Sequence, residues 1–215
     1  MFPLNTVLFP GMSVPLRVFE DRYRSLVEHL LSIEDPVDRV FGTVGIREGY
    51  EVGDHGAQSL YRVGVRLRLT EAEARPDGTF DIVAVALDRL ALDGLDSSGA
   101  FPAGEVHDLP EATASVSPEV VEQARATFTA YTAVLAGLGI DASPGALPRD
   151  ATYLSWTLAA SAPLPMPERQ ELLEAADPGE RLVLVTRLLR QELRAMNVIA
   201  SLPATEVART RWSPN

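Results

Sequence analysis

The chain has 215 residues and a net charge of −11, and it contains neither cysteine nor lysine. That length allows one large domain or two small ones, and 46% hydrophobic residues belongs to a globular chain rather than a disordered one. Without cysteine, disulfides and thiolate metal sites are excluded. Without lysine, a P-loop lysine, a Ser-Lys dyad and a cofactor Schiff base are excluded.

All 19 basic residues are arginines, which stay protonated and do not serve as amine bases or nucleophiles. The acidic balance argues against nucleic acid as a partner, because such binding rests on cationic charge against phosphate. The first positive charge is Arg17, and Pro3, Pro10 and Pro15 interrupt the opening, so no secretory signal is expected. The longest uncharged run, residues 151–167, holds three prolines and is 17 residues long, shorter than a typical membrane span. A cytoplasmic protein without a membrane segment is the expectation.

Residues 1–110 read as strand-rich. Two apolar runs, 4–9 and 13–19, flank a Pro10-Gly11 turn. A helix is expected over 20–32, with Tyr23, Leu26, Val27, Leu30 and Leu31 as its apolar stripe. Residues 40–46 read as a strand. Residues 60–70 alternate Tyr61, Val63, Val65, Leu67 and Leu69 with Arg62, Gly64, Arg66 and Arg68, so one face belongs to a core and the other carries arginines. Pro76-Asp77-Gly78 marks a turn, and residues 80–92 return antiparallel. Several short strands with turns between them suggest a small barrel or sandwich.

From residue 117 the period changes. Val121, Ala124, Phe128, Tyr131, Leu135 and Leu138 form a helical seam that Ser117 and Pro118 open and Gly137 and Gly139 can end. Further helices are expected over 149–160 and 167–175. The last begins at Asp177-Pro178-Gly179-Glu180, a variant of the capping box, and buries Leu182, Val185, Leu189, Leu193 and Met196. The six arginines from Arg181 onward read as a solvated helix face.

No GxGxxG, Walker A, GxSxG or HExxH motif is present. His29 lies near the end of the first helix, where it faces solvent or the helix dipole. His55 and Asp54 could ligate a metal, but their loop, Gly53 to Gly56, reads more simply as a turn. Acidic pairs such as Glu20-Asp21 are expected by chance among 30 acidic residues. The arginines of residues 60–70 could meet an anionic partner; pairing across strands with Asp81, Glu71 or Asp88 is the simpler reading.

The opening FPLNTVLFPGMSVPLRVFEDRYRSLVEHLL, residues 2–31, resembles the start of the Lon protease N-terminal domain, also called the LON substrate-binding domain. Phe9, Pro10, Gly11, Pro15 and Leu16 match its first turn and second strand. Gly64, the Pro76-Asp77-Gly78-Thr79 turn and Arg89 match further along, as does the helical stretch 152–193 with its Gln-Glu-Leu-Leu-Glu run. Met166 departs from the pattern, standing where the family tends to have a capping Ser or Thr, so that helix start is expected to fray.

The resemblance implies an α+β fold, a PUA-like β-barrel N-terminal part followed by an α-helical bundle. The expected domains are a barrel subdomain with one helix over 1–112, a helical bundle over 113–197 and a loosely ordered tail over 198–215. Full Lon proteases continue into ATPase and Ser-Lys protease modules, so the chain reads as a standalone LON-domain protein. The resemblance implies a non-enzymatic protein- or peptide-binding role in protein quality control, with no catalytic residue, cofactor or metal. The expected partners are polypeptide substrates or a protease or chaperone, with a homo-oligomer as a further possibility. Arg17, Arg22 and Arg24 are candidates for the rim of a polypeptide-binding groove near the first helix, against the simpler reading of a solvated helix face. The alternative function is that of a PUA-like nucleic-acid-binding protein.

Overall fold

The computed structural model describes residues 1–47, 60–142 and 144–198, with side chains as far as 196. Two compact units meet in sequence at Pro110 and Glu111. Asp54, His55 and the 198–215 tail, apart from the backbone of residue 198, lie outside the described residues.

The first unit is an antiparallel sheet with one α-helix. In chain order it contains β1 (Ser13–Val18), α1 (Asp21–Ser32), a short 3-10 turn (Pro36–Asp38), β2 (Val40–Ile46), β3 (Leu60–Ala74), β4 (Phe80–Asp96) and β5 (Ala103–Leu109). The order across the sheet is β1-β4-β3-β2, and β5 also pairs with β4. β4 is long enough to serve two partners on one flank: its start pairs with β1 and its end with β5.

The strand ladders do not close the expected barrel among the described residues, because β1 and β5 both flank β4 and neither pairs with β2. The outer edge of β2 is instead taken by the first residues of the chain. Phe2 N donates to Gly42 O (2.8 Å), Leu4 N to Val44 O (3.0 Å) and Ile46 N to Leu4 O (2.9 Å). The Met1 nitrogen then donates to Pro102 O, just before β5. The apolar run 4–9 is therefore no regular strand; its pairing is a single parallel bridge, Leu4 with Gly45.

The core follows the alternation of β3 and β4. Val65, Leu67 and Leu69 are buried, as are Ile82, Ala84 and Ala86, while Leu90 packs with Met1, Val44 and Leu92 in another cluster. Phe9 is fully buried before a turn in which Met12 N donates to Phe9 O and Gly11 takes a φ of +87°, open to glycine at little cost. β5 was not legible in the sequence. Its residues are mostly exposed, so no inward-outward alternation marks it.

The second unit contains α2 (Pro118–Gly137), α3 (Ala151–Ser161), α4 (Met166–Glu174) and α5 (Pro178–Val198). α5 packs against the other three. Ser117 caps α2, and Asp150 caps α3 by accepting from Thr152 N and Tyr153 N. Asp177 accepts from Glu180 N (2.9 Å) while the Glu180 carboxylate accepts from Ala176 N (3.2 Å), one residue before the usual capping-box position. α4 starts one residue earlier than expected: Met166 is its first helical residue, and the cap position is taken by Pro165, which offers no side-chain cap.

Three expectations for this unit fail. Leu193, expected in the buried stripe of α5, is only half-buried. Leu138 is exposed, because it is the C-cap, one residue past the end of α2 and off its seam. Arg181 does not lie on a solvated face. It is fully buried, and its guanidinium lies 3.2 Å from the ring centroid of Trp156. It donates to Leu172 O, Ala175 O, Ser155 Oγ and both carboxylate oxygens of Glu111.

Candidate functional site

A cleft in the first unit is built where the N-terminal segment passes the junction of β1 and α1. It is lined by Phe2, Pro3, Leu4, Arg17, Val18, Phe19, Glu20 and Tyr23 and is a shallow depression with a volume of about 20 Å³. Val18, the last residue of β1, is buried, and Tyr23 in the first turn of α1 is buried as well. Between them the chain turns at Phe19, which stays 45% exposed. Phe2 stacks on Tyr23 with centroids 4.1 Å apart and planes at 19°, and meets Phe41 at 6.3 Å. The result is a rigid aromatic wall beside an exposed phenylalanine.

The three arginine candidates take different positions around it. Arg17 lines the cleft and pairs with Asp77 at 3.3 Å. Arg22 is held by Glu20 through Nε (3.0 Å) and Nη2 (2.8 Å), with its guanidinium 4.7 Å from the Tyr23 centroid. Arg24 donates to Asp21 (2.8 Å) and lies near Gly78. Asp77 belongs to the 75–79 turn. Hydrogen bonds from the Thr79 hydroxyl and backbone, then the charge of Arg17, hold its carboxyl below the usual carboxylate range.

Chemically the cleft is a shallow, mainly apolar contact surface. Its volume of about 20 Å³ is far below that of a ligand pocket, and its lining contains no nucleophile-base pair. No group of three or more His, Asp or Glu residues that could hold a metal occurs among the described residues.

The aromatic lining was missed in the sequence. Phe2 precedes the apolar run 4–9 and Phe19 ends the run 13–19, and the signal for Phe19 was its place between that run and a helix start. The arginine face of β3 is partly neutralised across strands: Arg66 donates to Asp88 (3.0 Å) and to Asp108 (2.6 Å). Asp81 bonds Arg75 instead. His29 is exposed with its ring 5.2 Å from Phe101, and His107 Nδ1 lies 2.7 Å from Asp93.

Comparison with known proteins decides the family. The model of the ATP-dependent protease La (LON) substrate-binding domain matches residues 1–191. The chain belongs to the LON substrate-binding domain family. A Lon protease of Elusimicrobium minutum is 28% identical over 204 residues, covering 90% of this chain and 23% of that protein. A Lon protease 2 of Herpetosiphon aurantiacus is 28% identical over 200 residues, covering 91% and 24%. The LON domain thus spans about a quarter of the length of these curated bacterial relatives.

Among solved structures, a Lon N-terminal domain protein from Xanthomonas campestris superposes with a TM-score of 0.62 at 25% identity, covering 88% of this chain and 95% of the other. The N-terminal domain of Mycobacterium avium complex Lon protease gives 0.59 at 18% identity, with 88% and 96% covered, and supports the fold alone. The LON motif residues carry structural duties here. Phe9, Pro10 and Gly11 form the first turn, and Gly64 allows β2 and β3 to approach closely. Among the described residues no helix is long and apolar enough to cross a membrane.

Proposed function

We propose that this LON domain is a non-catalytic module that binds exposed apolar segments of polypeptides, and that it does so through the cleft around Phe19, as an adaptor in protein quality control. The observation that carries the reading is the half-exposed Phe19 beside the stacked Phe2–Tyr23 pair, in a domain of the substrate-binding family. A depression this shallow offers apolar contact surface and no room for a cofactor. Arg17, Arg22 and Arg24 form its polar rim. The PUA-like barrel remains part of this reading, with the N-terminal segment supplying the link between β2 and the start of β5.

A nucleic-acid role finds no support. The chain is strongly acidic, and the basic strand is partly neutralised through Arg66. The polypeptide reading is tested by fluorescence anisotropy, titrating the protein into one labelled polypeptide held unfolded and into its folded form. Saturable binding of the unfolded form alone is expected. Equal binding of both forms, or of neither, contradicts it.

A further inference from the structure

We propose that the cleft selects segments in which a large apolar residue, best an aromatic one, stands next to an acidic residue, and that Arg17 reads the acid. This rests on the polypeptide-binding reading above and names the sequence class it takes.

The lining supplies the apolar contacts. Phe2, Leu4, Val18, Phe19 and Tyr23 present aromatic and branched surface around a shallow depression, with Phe19 itself exposed for an incoming ring to pack on. Offset or edge contacts with an incoming ring are favourable in such a setting.

The charged half turns on which ion pair can be exchanged. Around the cleft, Arg17, Arg22 and Arg24 face Asp77, Glu20 and Asp21, so charges balance one for one. Among the lining residues Arg17 is the one cation and Glu20 the one anion. Glu20 is engaged by Arg22 through two nitrogens. The Arg17–Asp77 pair is the longest of the three at 3.3 Å, and both side chains are more than half exposed, at 51% and 56%. Exposed pairs of this kind contribute little and are screened by salt.

Asp77 also has other bonds. Its Oδ1 accepts from Thr79 N and Thr79 Oγ1, whereas Arg17 meets Oδ2. Release of Arg17 therefore leaves Asp77 anchored in its turn. A ligand carboxylate beside the seated apolar side chain can take the guanidinium, which is shaped for carboxylate recognition. A ligand cation there would meet Arg17 directly.

The test uses the whole chain and short labelled peptides that share one Gly/Ser frame and carry Phe-Asp, Phe-Asn, Phe-Arg or Ala-Asp at the centre, read by anisotropy at low salt. Phe-Asp should bind tightest and Phe-Arg weakest, about fivefold apart, with Ala-Asp lost. Arg17→Glu should reverse the order of Phe-Asp and Phe-Arg, and Arg17→Gln should remove the difference. Circular dichroism verifies that both variants fold. If the Phe peptides bind alike whatever their neighbour, or Arg17→Glu leaves their order unchanged, the charge selection is overturned while the polypeptide reading stands. If no peptide binds, the cleft is not the polypeptide site and both ideas fall.

Discussion

The guanidinium of Arg181 lies 3.2 Å from the ring centroid of Trp156, with no exposure to solvent. It ties α3, the end of α4 and Glu111, the first residue of the second unit, to α5. Arg181→Met removes a buried charge partner and strands several acceptors. It should lower the unfolding free energy by about 3 kcal/mol, seen as a lower urea midpoint at unchanged slope. Arg181→Lys should also destabilise, because an ammonium cannot reproduce the planar fork. A wild-type midpoint in both variants would contradict this role.

Gly64 shows how close the sheet is built. A Cβ there would stand 2.0 Å from the Thr43 carbonyl oxygen and 2.7 Å from a Val44 methyl. Backbone has little room to yield, so Gly64→Ala should cost about 3 kcal/mol or prevent folding. Gly137, the last residue of α2, has nothing within 4 Å of its would-be Cβ. Gly137→Ala should leave thermal stability unchanged or raise it by about 0.5 kcal/mol. Equal effects from the two substitutions would refute the assignment.

Glu168 gives a pH dependence. Burial, then the charges of Glu192 and Glu171, raise its carboxyl above the usual carboxylate value, against a weaker opposing pull from Arg187. The folded chain therefore holds this proton more tightly than the unfolded chain. The stability this group contributes is complete below the ordinary carboxylate pKa and is lost as pH rises through the raised folded value. Glu168→Gln removes that loss, so the variant should gain on the wild type as pH goes from about 4 to about 7. Urea midpoints at both pH values decide it; a constant difference contradicts the assigned cause.

Asp150 closes the first turn of α3 by accepting from Thr152 N (2.9 Å) and Tyr153 N (3.0 Å). Asp150→Ala should cost about 1 kcal/mol and Asp150→Asn much less. Denaturant melts of the pair measure it, and equal losses would show that the cap is not what matters.

What could be read from the sequence is what repeats along it. The alternation of Val65, Leu67 and Leu69 and the seam of Ala124, Phe128, Tyr131 and Leu135 follow from local periodicity, and both are buried. The caps at Ser117 and Asp177 are equally local. β5 was not legible, because an exposed edge strand needs no apolar face. Arg181 was misread because its partners are 9 to 70 residues away, apart from Ala175, and nothing at position 181 announces them. The cleft shares that difficulty. Phe2 and Tyr23 become neighbours through the pairing of the N-terminal segment with β2, a non-local event.

The proposed polypeptide site around Phe19 is tested most directly by a pair of substitutions. Phe19→Asp alters an exposed side chain and should leave the fold intact, as should the comparison variant Val106→Asp on β5, whose valine is 38% exposed. In the anisotropy titration with a labelled unfolded polypeptide, Phe19→Asp should weaken binding at least about tenfold while Val106→Asp binds as the wild type does. Wild-type binding by folded Phe19→Asp would place the polypeptide site elsewhere.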